Sequence, residues 1–100
     1  MSARIGIVGG RGYTGAELLK LLAGHPGMEL AFASSSSQAG QPLQPACPEW
    51  PQAGDEFVEL SVDSIASQSA DAWVLAVPNG VAADWARAIH RQYPESVVLD

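Results

Sequence analysis

The sequence predicts an α/β fold: a doubly wound, mainly parallel sheet in three layers, helices on both faces, strand order 3-2-1-4-5. Three observations predict it. Short apolar β-type runs alternate with helix-type periodicities along the whole chain. The first of these runs, Ile5-Gly6-Ile7-Val8, passes through a glycine turn directly into a leucine-striped helix. The run Ala72-Trp73-Val74-Leu75-Ala76-Val77 has no polar interruption, as expected of a strand buried on both faces of a parallel sheet.

In order, the first strand covers Ile5 to Val8. The first helix runs from about Thr14 to Ala23, with Gly15, Leu18, Leu19 and Leu22 forming a buried stripe. Gly24-His25-Pro26-Gly27 stops it, because glycine caps a helix end and proline cannot continue one. Met28 to Ala33 is the second strand, with Met28, Leu30 and Phe32 on one face and Ala31 and Ala33 on the other. Its spacing from the first strand suits a right-handed βαβ unit. Ser34 to Gly54, with Pro42, Pro45, Pro48 and Pro51, reads as a long surface loop. Asp55 to Leu60 is a candidate short strand with Phe57 its expected buried residue. Val62 to Ser69 is a candidate short helix capped by Ser61 or Asp63. Asp71 to Val77 is the clearest later strand. Pro78-Asn79-Gly80 ends it, and a helix from about Val81 to Gln92 follows, with Val81, Trp85, Ala88 and Ile89 as its apolar stripe. Ser96 to Leu99 is the last strand. The chain reads as one domain, residues 1–100, whose end in an apolar strand looks like a cut rather than a natural terminus.

Composition narrows the function. The 100 residues carry a formal charge of −6, and positions 41–86 hold seven acids and no Lys or Arg. A coat for nucleic acid needs a basic footprint, so nucleic acid is not expected as a partner. The least acidic region holds the glycine turn, as an anionic ligand prefers. No apolar run is long enough to span a bilayer, so no membrane partner is expected. One cysteine, Cys47, permits no internal disulfide, and no signal peptide is visible; a cytoplasmic location fits both.

The turn reads as Gly9-x-x-Gly12-x-x-Gly15 or Gly10-x-Gly12-x-x-Gly15. Between a strand and a helix this is the Rossmann-type dinucleotide fingerprint. One glycine allows a tight turn, one lets the backbone approach a pyrophosphate, and one lets helix and strand pack closely. The helix start, Tyr13-Thr14-Gly15, then aims unpaired N–H groups and the positive dipole end at the phosphates. Arg11 within the turn is either a phosphate contact or a solvated tip residue. NAD-binding folds place a carboxylate after the second strand for the ribose hydroxyls. Here that place holds Ser34, Ser35 and Ser36, whose hydroxyls and N–H groups suit a 2′-phosphate and do not repel it, so NADP is the expected cofactor. The missing acid also counts against a methyltransferase and a nucleotide-sugar epimerase. Pro78, Asn79 and Gly80 end a strand next to the first and are expected near the cofactor. No metal site is expected. Cys47 lacks a neighbouring base and reads as incidental; His25 and His90 read as surface residues. Trp50 is a loop anchor or an interface residue, and Trp73 and Trp85 read as core.

The run Gly6-Ile7-Val8-Gly9-Gly10-x-Gly12-Tyr13-Thr14-Gly15-x-Glu17-Leu18-Leu19 resembles the start of the N-acetyl-γ-glutamyl-phosphate reductase family. The likeness continues through His25-Pro26, the serine cluster, Ala39-Gly40 and Leu75-Ala76-Val77-Pro78-Asn79-Gly80-Val81. It implies NADPH-dependent reduction of an acyl phosphate to N-acetylglutamate semialdehyde in arginine biosynthesis, through a cysteine thioester. The family's nucleophile lies in a Gly-Cys-Tyr-like segment that Pro45-Ala46-Cys47-Pro48 does not match, so no catalytic residue is assigned. Gln38 and Gln41 stand where many members carry Arg or Lys. A small-molecule substrate and a homo-oligomer are expected of the full-length enzyme; an aspartate-semialdehyde dehydrogenase-like reductase and a non-catalytic nucleotide-sensing module are the alternatives. The isolated 100 residues are expected to be catalytically silent, to bind NADP weakly, and to be marginally stable or self-associating.

Overall fold

The structure, a computed structural model, describes residues 3–9, 13–24, 27–35, 39–43, 50, 54–77 and 79–99, with the backbone alone for residues 13–16 and 79. Its elements are β1 (Ala3–Val8), α1 (Tyr13–Ala23), β2 (Met28–Ser34), a 3₁₀ helix (Val62–Ser67), β3 (Ala72–Leu75), α2 (Asn79–Gln92) and β4 (Val97–Leu99). The four strands form one sheet in the order β2-β1-β3-β4, and every pairing is parallel. This is the expected doubly wound arrangement about a central β1, and it matches the 2-1-4-5 part of the expected order.

The remaining strand of that order is reduced. Asp55 to Leu60 lies outside β2 as foreseen, but it pairs there only through a parallel bridge, Ser34↔Val58. The Val58 N–H donates to Ala33 O at 2.9 Å and the Ser35 N–H to Val58 O at 3.1 Å. Asp55 and Phe57 bond instead to residues 40–43, with Phe57 N–H to Gln41 O at 2.9 Å and Gly40 N–H to Phe57 O at 2.8 Å. The segment reaches β2 only where β2 ends, and its acids Asp55, Glu56 and Glu59 are poor strand formers. The expected helix after it is the 3₁₀ helix, with Ser61 at the N-cap position and its N–H donating to Ser64 Oγ at 2.9 Å.

Alternation along β1 divides the core. Ile5 and Ile7 face α1 with Leu19, Ala33, Leu43, Trp50 and Phe57. Val8 faces α2 with Phe32, Ile65, Trp73, Leu75, Ala82, Trp85 and Ile89. The expected faces of β2 do not hold. Ile5 pairs with Leu30 but Gly6 pairs with Phe32, so one residue of β2 is consumed by a register shift. A one-residue slip exchanges faces in a strand of period two. Leu30 therefore packs on the α1 side with Ala33, and Phe32 on the α2 side with Ala31. The Phe32 ring lies over Gly6, where a Cβ would overlap its Cε1.

The expected loop is not all surface, since Leu43 and Trp50 are buried and Trp50 Nε1 donates to Asp55 Oδ2 at 2.7 Å. Trp50 is thus an anchor. Ala82, Trp85 and Ile89 form the buried stripe of α2, whereas Val81 is exposed. Trp73 is fully buried, edge-on to Phe32 at 5.0 Å and stacked on Tyr93 at 5.8 Å. Burial of β3 is one-sided: Trp73 and Leu75 are enclosed, while Val74 lines an apolar hollow beneath α1 with Leu21, Met28 and Leu99.

Candidate cofactor site

Parallel pairing brings the carboxyl ends of β2, β1 and β3 to one edge of the sheet. Crossover connections from that edge put the first turns of α1 and α2 beside it. A ligand is expected here, where β1 connects outward in both directions. Val8 aligns with Ser34 on one side and Leu75 on the other. Beyond Leu75, Ala76 N–H donates to Val8 O at 2.8 Å, so the strand ends remain in step as the chains leave the sheet.

Gly9 is the described residue at the centre of this edge. Its φ is +84°, a conformation that side chains disfavour. A Cβ on it would stand 2.5 Å from Ala76 O and 3.2 Å from Val77 Cγ1. Glycine is required there on both counts, so that the turn can press against the end of β3. The Gly9 N–H is forked between Ser34 O at 3.1 Å and Ser34 Oγ at 3.3 Å. Gly9 is therefore clamped between the ends of β2 and β3.

The other expected site residues fall as follows. Gly10, Arg11, Gly12, Ser36 and Pro78 lie outside the described residues, as do His25 and Cys47. Tyr13, Thr14 and Gly15 form the first turn of α1, and Asn79 and Gly80 open α2. The described atoms leave open space around a Cβ at Gly80, so packing does not require glycine there. Ser34 and Ser35, expected as 2′-phosphate contacts at the start of a surface loop, are buried at 3% and 6% exposure. Their burial comes from the 55–58 segment, which closes over the end of β2. Sequence reasoning did not single out Ala76, Val77 or Val58 as walls of the site. The adjacency of β1 and β3 was the available signal for Ala76 and Val77, and none existed for Val58.

Among the described residues, no carboxylate occupies the end of β2, and no group of His, Cys, Asp and Glu could hold a metal ion. No described helix is long and apolar enough to cross a membrane. The described elements of this edge suit a dinucleotide: a glycine at positive φ, two helix starts, and hydroxyl-bearing residues in place of an acid.

The chain is similar to known proteins. N-acetyl-gamma-glutamyl-phosphate reductases of Stenotrophomonas maltophilia and Xanthomonas campestris pv. campestris (strain B100) are 46% and 42% identical to this chain over 96 residues. Each match covers 96% of this chain and 30% of the relative, so the chain spans under a third of the length of these proteins. Among solved structures, an aspartate semialdehyde dehydrogenase with NADP from Candida albicans aligns with TM-score 0.66 at 21% identity, over 89% of this chain and 27% of that one. A dipicolinate-bound dihydrodipicolinate reductase from Paenisporosarcina sp. TG-14 aligns with TM-score 0.68 at 21% identity, over 97% and 36%. These two likenesses concern the fold. The family model for the semialdehyde dehydrogenase NAD binding domain matches residues 4–100, from β1 through β4 and across the whole glycine-turn edge, and the chain belongs to that family.

Proposed function

We propose that this chain is the cofactor-binding domain of an NADPH-dependent acyl-phosphate reductase that forms N-acetylglutamate semialdehyde in arginine biosynthesis. The observation that carries the reading is the 46% identity with an N-acetyl-gamma-glutamyl-phosphate reductase across a match that includes the whole glycine-turn edge. When bound, the cofactor supplies a hydride. The chain's own part is to hold and orient it. Gly9, with Gly10, Arg11 and Gly12, receives the pyrophosphate together with the α1 start at Tyr13, Thr14 and Gly15. Pro78, Asn79 and Gly80 flank the bound dinucleotide from the end of β3. Ser34, Ser35 and Ser36 mark the adenosine side.

The absence of a carboxylate at Ser34 and Ser35 supports NADP over NAD, because an acid there would repel a 2′-phosphate. No catalytic group is assigned to these residues, and Cys47 has no part in the reading. Acyl-phosphate reduction then belongs to residues outside the domain, in a protein that is cytoplasmic and homo-oligomeric. Fluorescence titration with NADPH and NADH is the test: NADPH is expected to bind more tightly, and tighter NADH would overturn the cofactor choice. Residues 1–100 alone are expected to show no turnover of an acyl phosphate with NADPH. Turnover would place a catalytic group in this stretch, with Cys47 the first to examine.

A further inference from the structure

Ser34 ends β2 beside Gly9. We infer that it is a positioning residue: its buried hydroxyl holds the Gly9 amide and so fixes the glycine turn that receives the dinucleotide. The inference rests on the cofactor-binding reading above.

Three observations carry it. Ser34 is 3% exposed, so its hydroxyl is withdrawn from the surface that a 2′-phosphate would approach. That hydroxyl accepts the Gly9 N–H at 3.3 Å, alongside the Ser34 carbonyl at 3.1 Å. The two acceptors grip one donor from different directions, so the peptide before Gly9 cannot rotate without losing one of them. On its other side Gly9 is pressed against Ala76 O, where its φ of +84° leaves no room for a side chain. Ser34 is itself held from outside. It bridges to Val58, with Val58 N–H on Ala33 O at 2.9 Å and Ser35 N–H on Val58 O at 3.1 Å. The segment that takes the place of a third strand thus fixes Ser34, and Ser34 fixes the turn.

This matters because a phosphate cradle is made of backbone N–H groups whose directions must be set before the anion arrives. A residue that sets those directions affects every dinucleotide alike. A residue that contacts the 2′-phosphate affects NADPH alone. The two roles therefore separate by experiment.

The test uses the full-length protein that carries this domain and its Ser34→Ala and Ser34→Thr variants, each checked for fold by far-ultraviolet circular dichroism. Hydrogen exchange of the Gly9 amide is followed by ¹H–¹⁵N NMR without cofactor. Dissociation constants for NADPH and NADH are measured by fluorescence. Loss of one hydrogen bond is worth roughly a three- to tenfold change. Ser34→Ala is expected to speed Gly9 exchange by about that factor and to weaken NADPH and NADH equally, while Ser34→Thr, which keeps the hydroxyl, restores both. Should the threonine variant not fold, the alanine variant alone decides. Unchanged Gly9 exchange, or weakening confined to NADPH, would overturn the inference. Failure of the wild-type full-length protein to bind either dinucleotide would count against the cofactor reading, and Gly9 exchange would still decide whether Ser34 holds the turn.

Discussion

Gly6 and Gly9 stand three residues apart on one strand and its turn, yet the structure needs them for different reasons. Gly9 sits at positive φ against a carbonyl oxygen that cannot yield. Gly9→Ala combines an unfavourable backbone with a steric clash, so we expect a loss of about 1–3 kcal/mol or more, read as a lower thermal midpoint, together with loss of dinucleotide binding. Gly6 instead makes room for an aromatic side chain. Gly6→Ala forces its methyl group into the Phe32 ring, at an expected cost of roughly 1–3 kcal/mol. Because the neighbour is a side chain, the double variant Gly6→Ala/Phe32→Leu is expected to cost less than the sum of the single changes, which a double-mutant cycle by urea denaturation would read. A strictly additive cycle would show that the ring is not what Gly6 accommodates.

The elements divide into those set by periodicity and those set by anchors. In α2, Ile89 is fully buried and Val81 is exposed, although both fall on an apolar stripe read from sequence. Ile89→Ala is expected to cost about 2–5 kcal/mol and Val81→Ala less than about 0.5 kcal/mol, both from denaturant midpoints. Equal effects would mean that the helix presents a different face to the sheet. The described residues between 39 and 60 hold by anchors. The Trp50 indole donates to Asp55, and Leu43 and Phe57 fill the α1-side core. Asp55→Ala removes the acceptor of a partly buried N–H and is expected to cost roughly 1–3 kcal/mol, with a shift in tryptophan emission. A smaller loss would mean that the segment holds by its apolar contacts alone.

At the scale of the whole molecule, the two faces of the sheet are unequal. The α2 side encloses Trp73, Leu75 and Phe32. On the α1 side, Leu21, Met28 and Leu99 are exposed at 69%, 40% and 52% around a hollow of about 320 Å³, and Val97 is exposed at 54% on the same edge strand as Leu99. Exposed apolar surface on this scale favours association. The isolated chain is therefore expected to sediment as larger species with rising concentration, and Leu99→Lys to reduce that tendency. A monomer at all concentrations would overturn the expectation.

Residue types and their spacing imply the main elements, their parallel order about β1 and the glycine turn at the carboxyl edge of the sheet. Those features follow from local information: glycine spacing, a leucine stripe, an unbroken apolar strand and the handedness of crossovers. Phe57, Trp73 and Trp85 were legible as core for the same reason. Tertiary structure decided the rest. The register shift that sends Phe32 over Gly6 depends on pairing between strands and leaves no mark on the alternation of Met28, Leu30 and Phe32. The reduction of Asp55 to Leu60 to a bridge depends on where β2 ends relative to it. The burial of Leu43 and Trp50 gathers residues from a segment with no period of its own. Ser34 is the sharpest case: the serine run reads as a loop whose hydroxyls meet a 2′-phosphate, whereas the bridge to Val58 and the fork from Gly9 accompany an inward, buried Ser34. Periodicity reports what a residue's own element requires, whereas contacts between distant segments decide what that residue meets.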